Sequence, residues 1–526
     1  MLKLPIGLQD FRSLREDGNI YVDKTERIYQ LVNSSKYNFL SRPRRFGKSL
    51  LVNTLAELFQ GNQELFQDLW VADQWNWQER HPIISLFFNS ASYKITGLPA
   101  YISDRLAKQA ELYGLQLPDT NYPAQLEWLI KSLSEKHGKV VLLIDEYDKP
   151  IIDYLHDVPK AEANRDVLKS FYSVLKPLDA HLRFVLITGV SKFSRVSIFS
   201  ELNNLLDISL HPRFSSLLGY TQQEIEHYFK EYINQAAPAH GGKQAMLQQM
   251  ALWYNGYSWD AHTKVYNPWS VLNFFSTQKF NNFWFESGTP TFLVKQLDKA
   301  RTYDLEKVEV SYAVTGSFDL NNLNAYTLLF QTGYITIKAI DEFGDYTLGY
   351  PNREVRHALL QFLLAEVVHD DAENAPVQAS RMTKALRSHE PEQFVVALNQ
   401  LFASIPYEIF INDKEAYYHT VTFLAISLMG THIQAEPSQA QGRPDCVVQL
   451  PDTTYIIEFK LNESAVAALQ QIRNKQYATP YLSPHKKTIL FGINLNATQK
   501  AIDDWAVEQV WPGFAIKNSY FRLLTT

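Results

Sequence analysis

The chain lacks the features that typify secreted, membrane-spanning and cysteine-ligated metal proteins. One cysteine among 526 residues permits no internal disulfide and no zinc site built from several cysteines. No stretch approaches the roughly 20 consecutive apolar residues that cross a bilayer. The first residues show no cationic segment followed by an apolar core, so we expect no signal peptide. These absences predict a cytoplasmic protein with no membrane partner.

Two further absences concern positive charge and histidine ligands. The net charge is −6, so the chain lacks a global signature of nucleic-acid binding, although a local basic groove can lie on an acidic protein. The fourteen histidines form no H-E-x-x-H pair. What remains is a globular composition, 46% hydrophobic and 20% charged. The length predicts two to four domains, each with its own core.

A predicted β-hairpin in the last quarter of the chain is the most informative local feature. The segments Asp445–Leu450 and Tyr455–Leu461 have the composition of strands, and Pro451 and Asp452 are turn residues between them. We expect Leu450 to pair with Tyr455, which sets the register of the two strands.

That register brings two carboxylates and an ammonium group together. Asp445 falls opposite Lys460, with Glu458 diagonal to it, and all three share one face because strand side chains alternate. Ile457 and Phe459 point to the core on the other face. Such a set can bind a divalent metal and orient an attacking water, which is what phosphodiester hydrolysis requires. The alternative is that Glu458-Phe459-Lys460 is a strand with a solvated face.

The spacing of Pro444-Asp445 and Glu458-Phe459-Lys460 resembles that of the PD-(D/E)XK nuclease superfamily. The resemblance implies that Glu415, which opens a helical segment to Leu428, is a further metal ligand beside Asp445 and Glu458. It also relates Gln471 through Tyr477, on a predicted helix, to the Gln…Tyr element of the exonuclease branch. Lys460 would then position water or stabilise charge in the transition state.

A second chemical motif lies near the N-terminus. A predicted strand, Tyr37–Ser41, leads through a loop to Gly47-Lys48-Ser49 and then to a helical segment, Leu50–Phe59. This order is the context of a phosphate-binding loop, in which backbone N–H groups and the helix dipole bind phosphate. Lys48 would reach the β- and γ-phosphates, and Ser49 would bind Mg²⁺.

The loop departs from the usual G-x-x-x-x-G-K-[ST] pattern at its start. Arg42 stands at the position of the first glycine, and Pro43 removes one N–H donor. A partner segment supports the motif nevertheless. Lys139–Glu146 is an unbroken apolar segment that ends in two acids, as in a strand buried in a parallel sheet. Asp145 would hold Mg²⁺, and Glu146 would polarise the hydrolytic water. Alone, this pair would be better explained as a buried strand with solvated acids.

A third apolar strand, Arg183–Gly189, ends close to a polar residue. Thr188 occupies the sensor-1 place of AAA+-like ATPases, where a hydroxyl responds to the γ-phosphate. Arg195 follows it. We consider Arg195 as an arginine finger or loop anchor, and prefer an ordinary surface arginine.

Taken together, the motifs resemble a bacterial family in which an AAA-ATPase-like domain precedes a PD-(D/E)XK nuclease domain. The most distinctive shared segment is Arg44-Arg45-Phe46-Gly47-Lys48-Ser49. The resemblance implies ATP as ligand, with Arg45, Gly47, Lys48, Ser49, Asp145 and Thr188 around it. It also implies Mg²⁺ at both sites, with Mn²⁺ possible at the nuclease site, nucleic acid (DNA foremost) as partner, and a possible homo-oligomer, since AAA+-like domains often form rings.

The fold class expected is α/β, with three regions. Residues 1–215 are the P-loop AAA-ATPase-like core, and 216–400 are a helical lid and linker region with a possible winged-helix-like part. Residues 405–526 are a restriction-endonuclease-like α/β domain of the PD-(D/E)XK type. We expect the aromatic cluster Trp253–Tyr257 to pack the lid against the core rather than to stack on bases.

Two alternatives stay open at this point. Tyr21–Thr25 could line an adenine pocket, or Asp23 or Thr25 could cap the helix Glu26–Val32. For the whole chain, we weigh an ATP-dependent, Mg²⁺-dependent nuclease against a signalling switch controlled by ATP or ADP, in which the nuclease-like domain only binds a partner or nucleic acid. A non-enzymatic scaffold is disfavoured by the two intact motifs.

Overall fold

The computed structural model describes residues 1–192, 202, 204–284, 305–312, 324–368, 374–403, 415–428, 433–435 and 444–510. For 366–368, 374–376, 415–420 and 433–435 it describes the backbone alone. The chain divides into two compact units, Met1–Val355 and Arg356–Thr526. No helix within the described ranges is both long and apolar enough to span a bilayer.

A five-stranded parallel sheet forms the centre of the first unit, with strand order β2-β3-β4-β1-β5. The strands are β1 (Tyr37–Ser41), β2 (Ile83–Phe87), β3 (Val140–Asp145), β4 (Leu182–Gly189) and β5 (Leu206–Asp207). Every residue of β3 is buried, as expected for an unbroken apolar strand covered by helices on both faces. The order places the carboxyl end of β3 between those of β2 and β4.

Helices precede, connect and follow these strands. Around the sheet they are α1 (Phe11–Glu16), α2 (Thr25–Ser34), α3 (Lys48–Phe59), α4 (Tyr93–Thr96), α5 (Leu98–Glu111), α6 (Tyr122–His137), α7 (Lys149–Ile152) and α8 (Val158–Ser173). After the sheet come α9 (Gln222–Tyr228), α10 (Lys230–Ala236), α11 (Lys243–Tyr254) and α12 (Pro268–Thr277). This second group packs against Ile20 and Val22 in one apolar core.

One helical segment after the parallel sheet is interrupted at a phenylalanine. The segment 222–235 forms two helices, because Phe229 leaves helical dihedral angles (φ −106°, ψ 22°) between α9 and α10. Its ring is fully buried and stacks on Phe275 at 5.2 Å between centroids. Packing of this aromatic pair therefore overrides the local helical pattern.

The first unit also contains a small antiparallel sheet, order β6-β8-β7, and a helix beside it. The elements are β6 (Val308–Val310), α13 (Ala325–Thr332), β7 (Thr336–Ile340) and β8 (Tyr346–Gly349). The consecutive strands β7 and β8 pair in antiparallel orientation. A winged-helix-like identity for this part stays a prediction.

The second unit is built on a mixed five-stranded sheet of order β13-β12-β11-β10-β9, in which only β11 and β12 are parallel. Its strands are β9 (Ile433–Ala435), β10 (Cys446–Gln449), β11 (Thr453–Leu461), β12 (Lys487–Asn496) and β13 (Ala501–Val510). The helices are α14 (Arg353–Val368), which begins before the division between the units, α15 (Asn374–Arg387), α16 (Pro391–Ala403), α17 (Glu415–Leu428) and α18 (Ala465–Asn474).

Helix α18 lies close against the sheet of the second unit. A Cβ added to Gly492 would come 2.3 Å from the carbonyl oxygen of Ala465, at the start of α18. Leu469 and Ile472 of α18 share an apolar cluster with Val447, Ile456 and Leu490. The close approach of α18 matters for the site, because α18 also carries Gln471.

Candidate nucleotide and metal sites

The loop between β1 and α3 has the backbone geometry of an anion-binding turn. Arg45 (φ 68°) and Gly47 (φ 93°) are in the left-handed region, which is strained for Arg45 and unstrained for Gly47. Gly47 is the N-cap of α3. Within the described residues, the N–H groups of Gly47, Lys48 and Ser49 have no acceptor, so the start of α3 presents free donors.

Arg42 anchors the beginning of this loop. Its guanidinium is 1% exposed, donates to the carbonyl oxygens of Ser41, Ser209 and Phe214, and lies 3.9 Å from the ring centroid of Trp259. Burial lowers the pKa of Arg42 to about 9, which leaves it charged at neutral pH. Because Arg42 does not adopt a positive φ, the loop does not need glycine at its first position.

Lys48 is folded onto its own loop. Its ammonium group is buried and donates to the carbonyl oxygens of Arg42 (2.8 Å) and Pro43 (3.0 Å). Desolvation lowers the pKa of Lys48, while the nearby charges of Asp145 and Glu146 act in the opposite direction. The ammonium group is therefore held at the start of α3 among the acids at the end of β3.

Asp145 joins the loop to the sheet. Its carboxylate accepts the hydroxyl hydrogen of Ser49 at 2.5 Å and that of Thr188 at 2.5 Å. Thr188, on the neighbouring strand β4, is fully buried. Its hydroxyl also lies 3.4 Å from the carbonyl oxygen of Ile144. The structure thus brings together three residues that the sequence suggested separately, and it places the Thr188 hydroxyl against Asp145.

Glu146 follows β3 in a left-handed conformation, with φ 55°. Its N–H donates to its neighbour, the carboxylate of Asp145, at 3.1 Å. Burial and then the charge of Asp145 raise the pKa of Glu146. A carboxyl group with a raised pKa is better suited to accept a proton near neutral pH.

Asp148 is a residue of this site that sequence reasoning did not single out. Its carboxylate is 1% exposed and accepts the N–H of Val190, the N–H of Ser191 at 2.6 Å and the Ser191 hydroxyl at 2.6 Å. A Cβ on Gly189 would lie 2.6 Å from it. Asp148 therefore connects the residues after β4 to those after β3. The third acid in the segment 145–148 was the sequence signal that could have identified it.

A cavity of about 440 Å³ opens beside the loop, within the size range of ligand sites. Its lining includes Lys48, Ser49 and Glu146, and also Arg44 and Arg45. Apolar and aromatic side chains line the rest: Ile20, Tyr21, Val22, Leu217, Leu218, Trp269 and Leu272. A lining with both charged and apolar side chains suits a ligand that has both charged and apolar parts.

The segment Tyr21–Thr25 contributes to the cavity wall and to the start of α2, and its part in an adenine pocket stays a prediction. The expectation that Asp23 or Thr25 is the N-cap is wrong, because Lys24 has that position. Tyr21, Val22 and Lys24 line the cavity. Asp23 accepts the N–H and hydroxyl of Thr25, which satisfies a donor at the start of α2, although Lys24 is the N-cap residue. The Lys24 ammonium also pairs with Glu224 at 2.6 Å, joining this segment to α9.

In the second unit, the predicted hairpin is present but its register differs by two residues. Leu450 donates to the carbonyl oxygen of Thr453, so the turn contains only Pro451 and Asp452. The expected pairing of Leu450 with Tyr455 is therefore wrong. Because Cys446 pairs with Ile457, Asp445 falls opposite Glu458 rather than Lys460. A shift of two residues keeps every side chain on its face, and the three polar residues still lie on one side.

The polar residues of the hairpin form a network with α18. Gln471 donates to Glu458 and accepts from the ammonium of Lys460 at 2.6 Å. The backbone N–H of Phe459 donates to Asp445 at 2.8 Å. Burial and then the charge of Asp445 raise the pKa of Glu458 to about 8. Ile457 and Phe459 are buried, as expected for the opposite face.

Two residues considered in the sequence lie outside the described residues or side chains. Arg195 is outside the described residues, and only the backbone of Glu415 is described. Helix α17 does begin at Glu415 and end at Leu428, as expected. The part of Glu415 in a metal site therefore stays a prediction.

The donor atoms of both sites fit a hard divalent cation. Ser49 and Asp145 offer oxygen atoms at the loop, and Asp445 and Glu458 offer two carboxylates; burial first, and then repulsion by Asp445, raise the pKa of Glu458. A cation between the carboxylates would relieve that repulsion. Among the described side chains there is no group of three or more histidine, cysteine, aspartate or glutamate residues placed to hold a metal.

Comparison with known proteins agrees with this division of the chain. The family model described as Predicted AAA-ATPase matches residues 5–199, and that of the PD-(D/E)XK nuclease superfamily matches 413–505. A protein of Azotobacter chroococcum mcd 1, "Uncharacterized protein in vnfD 5'region", is 37% identical over 522 residues, covering 97% of this chain and 99% of the relative. The chain belongs to the predicted AAA-ATPase family with a C-terminal PD-(D/E)XK nuclease domain.

For this AAA-ATPase-like protein, one solved structure also aligns, that of the Aeropyrum pernix ORC1 protein in complex with DNA. It covers 65% of this chain and 94% of that chain at 12% identity. The TM-score of 0.24 is too low to indicate a shared fold. The family membership confirms the expected α/β fold class, with an AAA-ATPase-like domain before a PD-(D/E)XK domain. The exact boundaries 1–215, 216–400 and 405–526 stay predictions.

Proposed function

We propose that this AAA-ATPase-like protein binds and hydrolyses ATP, and that its C-terminal domain is a metal-dependent nuclease acting on DNA. The observation that carries the ATPase half is the carboxylate of Asp145 between the hydroxyls of Ser49 and Thr188, with Ser49 in the wall of a cavity of about 440 Å³. The nuclease half rests on the Asp445, Glu458, Lys460 and Gln471 network.

In the ATPase half, each residue has a proposed task that follows from its contacts. The N–H groups at the start of α3 and the Lys48 ammonium would bind phosphate oxygens. Lys48 would then give up its hydrogen bonds to the carbonyl oxygens of Arg42 and Pro43 and donate to the phosphate instead. Arg45, in the wall of the same cavity, would add positive charge. Glu146, with its raised pKa, would accept the proton of the attacking water.

In the nuclease half, Lys460 would stabilise negative charge on the phosphodiester, and Gln471 would hold Lys460 and Glu458 in place. Ser49 and Asp145 would hold Mg²⁺ at the ATP site, and Asp445 and Glu458, with Glu415, would hold Mg²⁺ or Mn²⁺ at the nuclease site. When bound, the cation supplies Lewis-acid stabilisation of phosphate charge.

The test uses the full chain, purified and incubated with linear, circular and single-stranded DNA and with RNA. Each reaction contains Mg²⁺ or Mn²⁺, with and without ATP. Lys460→Ala removes the proposed charge. Lys487→Ala is the matched control, because Lys487 is exposed and pairs with Thr453, seven residues along β11 from Lys460, roughly 20 Å away.

We expect the wild-type chain and the Lys487 variant to cut DNA and the Lys460 variant to be inactive. A requirement for ATP would indicate coupling of the two domains. ATP turnover without cutting of any nucleic acid would reject the nuclease half and favour a switch controlled by ATP or ADP. Cytoplasmic location and assembly into a homo-oligomer stay predictions.

A further inference from the structure

The phosphate-binding loop is held by two tryptophans from the region after the parallel sheet. The guanidinium of Arg45 lies 4.3 Å from the ring centroid of Trp269, in the first turn of α12. The indole N–H of Trp284 donates to the carbonyl oxygen of Arg44 at 3.3 Å. The indole N–H of Trp269 in turn donates to the carbonyl oxygen of Phe283 at 3.0 Å, so the two tryptophan-bearing segments are joined.

One buried carboxylate binds both of these segments. Glu354 is fully buried and accepts the hydroxyl hydrogen of Ser270, the residue after Trp269, at 2.7 Å. Its other oxygen accepts the N–H groups of Phe283 at 2.7 Å and Trp284 at 2.9 Å. Among the described residues no lysine or arginine forms an ion pair with it, so these hydrogen-bond donors are what stabilises its ionised form.

A buried carboxylate without a cation is an expensive way to connect two segments, since apolar packing would do so without desolvating a charge. Glu354 is also the second residue of α14, the helix that runs on past Val355. Any movement of Arg44 or Arg45 on binding phosphate would therefore act, through Trp284 and Trp269, on the first turn of α14.

We propose that Glu354 is a positioning residue of the nucleotide site, which acts through Trp269 and Trp284 on Arg44 and Arg45 and links occupancy of the loop to α14. The inference rests on the proposed binding of ATP, and it adds a residue that lies outside the loop and the acids of β3. By the reciprocity of coupled equilibria, a change at Glu354 must alter nucleotide affinity if nucleotide alters the contacts of Glu354.

The experiment measures the affinity of the full chain for ADP and for ATP, by calorimetry at a temperature where every variant is folded. The variants are Glu354→Gln, which keeps the shape but loses the charge, Trp284→Phe, which keeps an aromatic ring but loses the indole N–H and part of the ring volume, and the double variant. Glu342→Gln, at an exposed position in the β7–β8 connection, controls for loss of one negative charge. Hydrogen exchange at the amides of Phe283 and Trp284 is followed with and without ADP.

We expect Glu354→Gln to weaken ADP binding roughly 3- to 30-fold and Trp284→Phe to weaken it less. The double variant should resemble Glu354→Gln, since both changes interrupt one path. ADP should slow exchange at the two amides in the wild type and not in Glu354→Gln. Unchanged ADP affinity in folded Glu354→Gln would overturn the inference and leave a structural role only. Failure of the wild type to bind ADP and ATP would instead overturn the proposed function, and the inference with it.

Discussion

Ser49 donates its hydroxyl hydrogen to Asp145 across 2.5 Å, although 96 residues separate them in the chain. The contact joins the first turn of α3 to the last residue of β3. On the other side of Asp145, the buried hydroxyl of Thr188 donates to the second carboxylate oxygen. Both oxygens of Asp145 are therefore oriented by neighbouring elements before any ligand binds, which is the preorganisation that a nucleotide and metal site requires.

Asp145→Asn should abolish most ATP hydrolysis. The amide keeps the size of the side chain but loses the charge and one acceptor, so we expect kcat to fall about 100-fold or more, with thermal stability close to that of the wild type. Phosphate release under excess ATP measures the effect. Asp119→Asn, at an exposed loop position, should hydrolyse ATP at the wild-type rate. Full activity in the Asp145 variant would show that this acid has no part in turnover.

Gln471→Ala should impair DNA cleavage although the proposed metal ligands and Lys460 themselves are not substituted. Gln471 donates to Glu458 and accepts from Lys460, and loss of such a supporting residue typically reduces activity or metal affinity 10- to 100-fold. Cleavage is measured as a function of Mg²⁺ concentration. The control Gln499→Ala changes an exposed glutamine in the connection between β12 and β13. Equal activity of both variants would contradict a supporting role for Gln471.

The sequence predicted the elements of both sites well, because the signals are local. The apolar segments became β1, β3 and β4, and α17 was bounded correctly at Glu415 and Leu428. The shared face of Asp445, Glu458 and Lys460 survived an error of two residues in register, since side chains alternate with period two. Strands, helices and the face on which a strand side chain lies can therefore be predicted from the alternation of apolar and polar residues, without knowledge of tertiary contacts.

What the sequence could not predict depends on distant partners. Arg42 replaces a glycine because its guanidinium is bound by the carbonyl oxygens of Ser209 and Phe214, 167 and 172 residues further on. The left-handed conformation of Glu146 has no local signal, since glutamate rarely adopts it. Glu354 likewise has a role only through Ser270 and the amides of Phe283 and Trp284.

Gly256→Ala should destabilise the first unit through backbone strain. Gly256 has φ +105°, and a Cβ there would lie 2.1 Å from the carbonyl oxygen of Pro351. Strain of this kind is worth about 1–3 kcal/mol before the clash is added, so the melting temperature should fall by several degrees. Gly114→Ala, where φ is also positive (+65°) but nothing lies within 4 Å, separates strain from clash. Equal melting temperatures of the two variants would mean that the contact with Pro351 is unimportant.

The stability of the first unit should decrease between about pH 4.5 and pH 7 through Glu354. Burial raises the pKa of Glu354 from 4.5 to about 7, despite the hydrogen bonds from Ser270, Phe283 and Trp284. The buried tyrosines near its charge, Tyr254 and Tyr257, stay neutral in this range, since their pKa values are raised.

A carboxyl group with a raised pKa keeps its proton in the folded state at a pH where the unfolded chain has lost it. The stabilising contribution of Glu354 to folding is therefore complete below pH 4.5, and it is lost as the pH rises through about 7. A shift of this size corresponds to at most about 3 kcal/mol. Urea unfolding of the wild type and Glu354→Gln, measured from pH 4.5 to pH 8, gives the difference directly. As the pH rises, the free energy of unfolding of the wild type should fall relative to that of Glu354→Gln, because glutamine does not ionise. A constant difference across this range would show that Glu354 is ionised throughout, with its charge fully stabilised by the donors from α12 and residues 283–284.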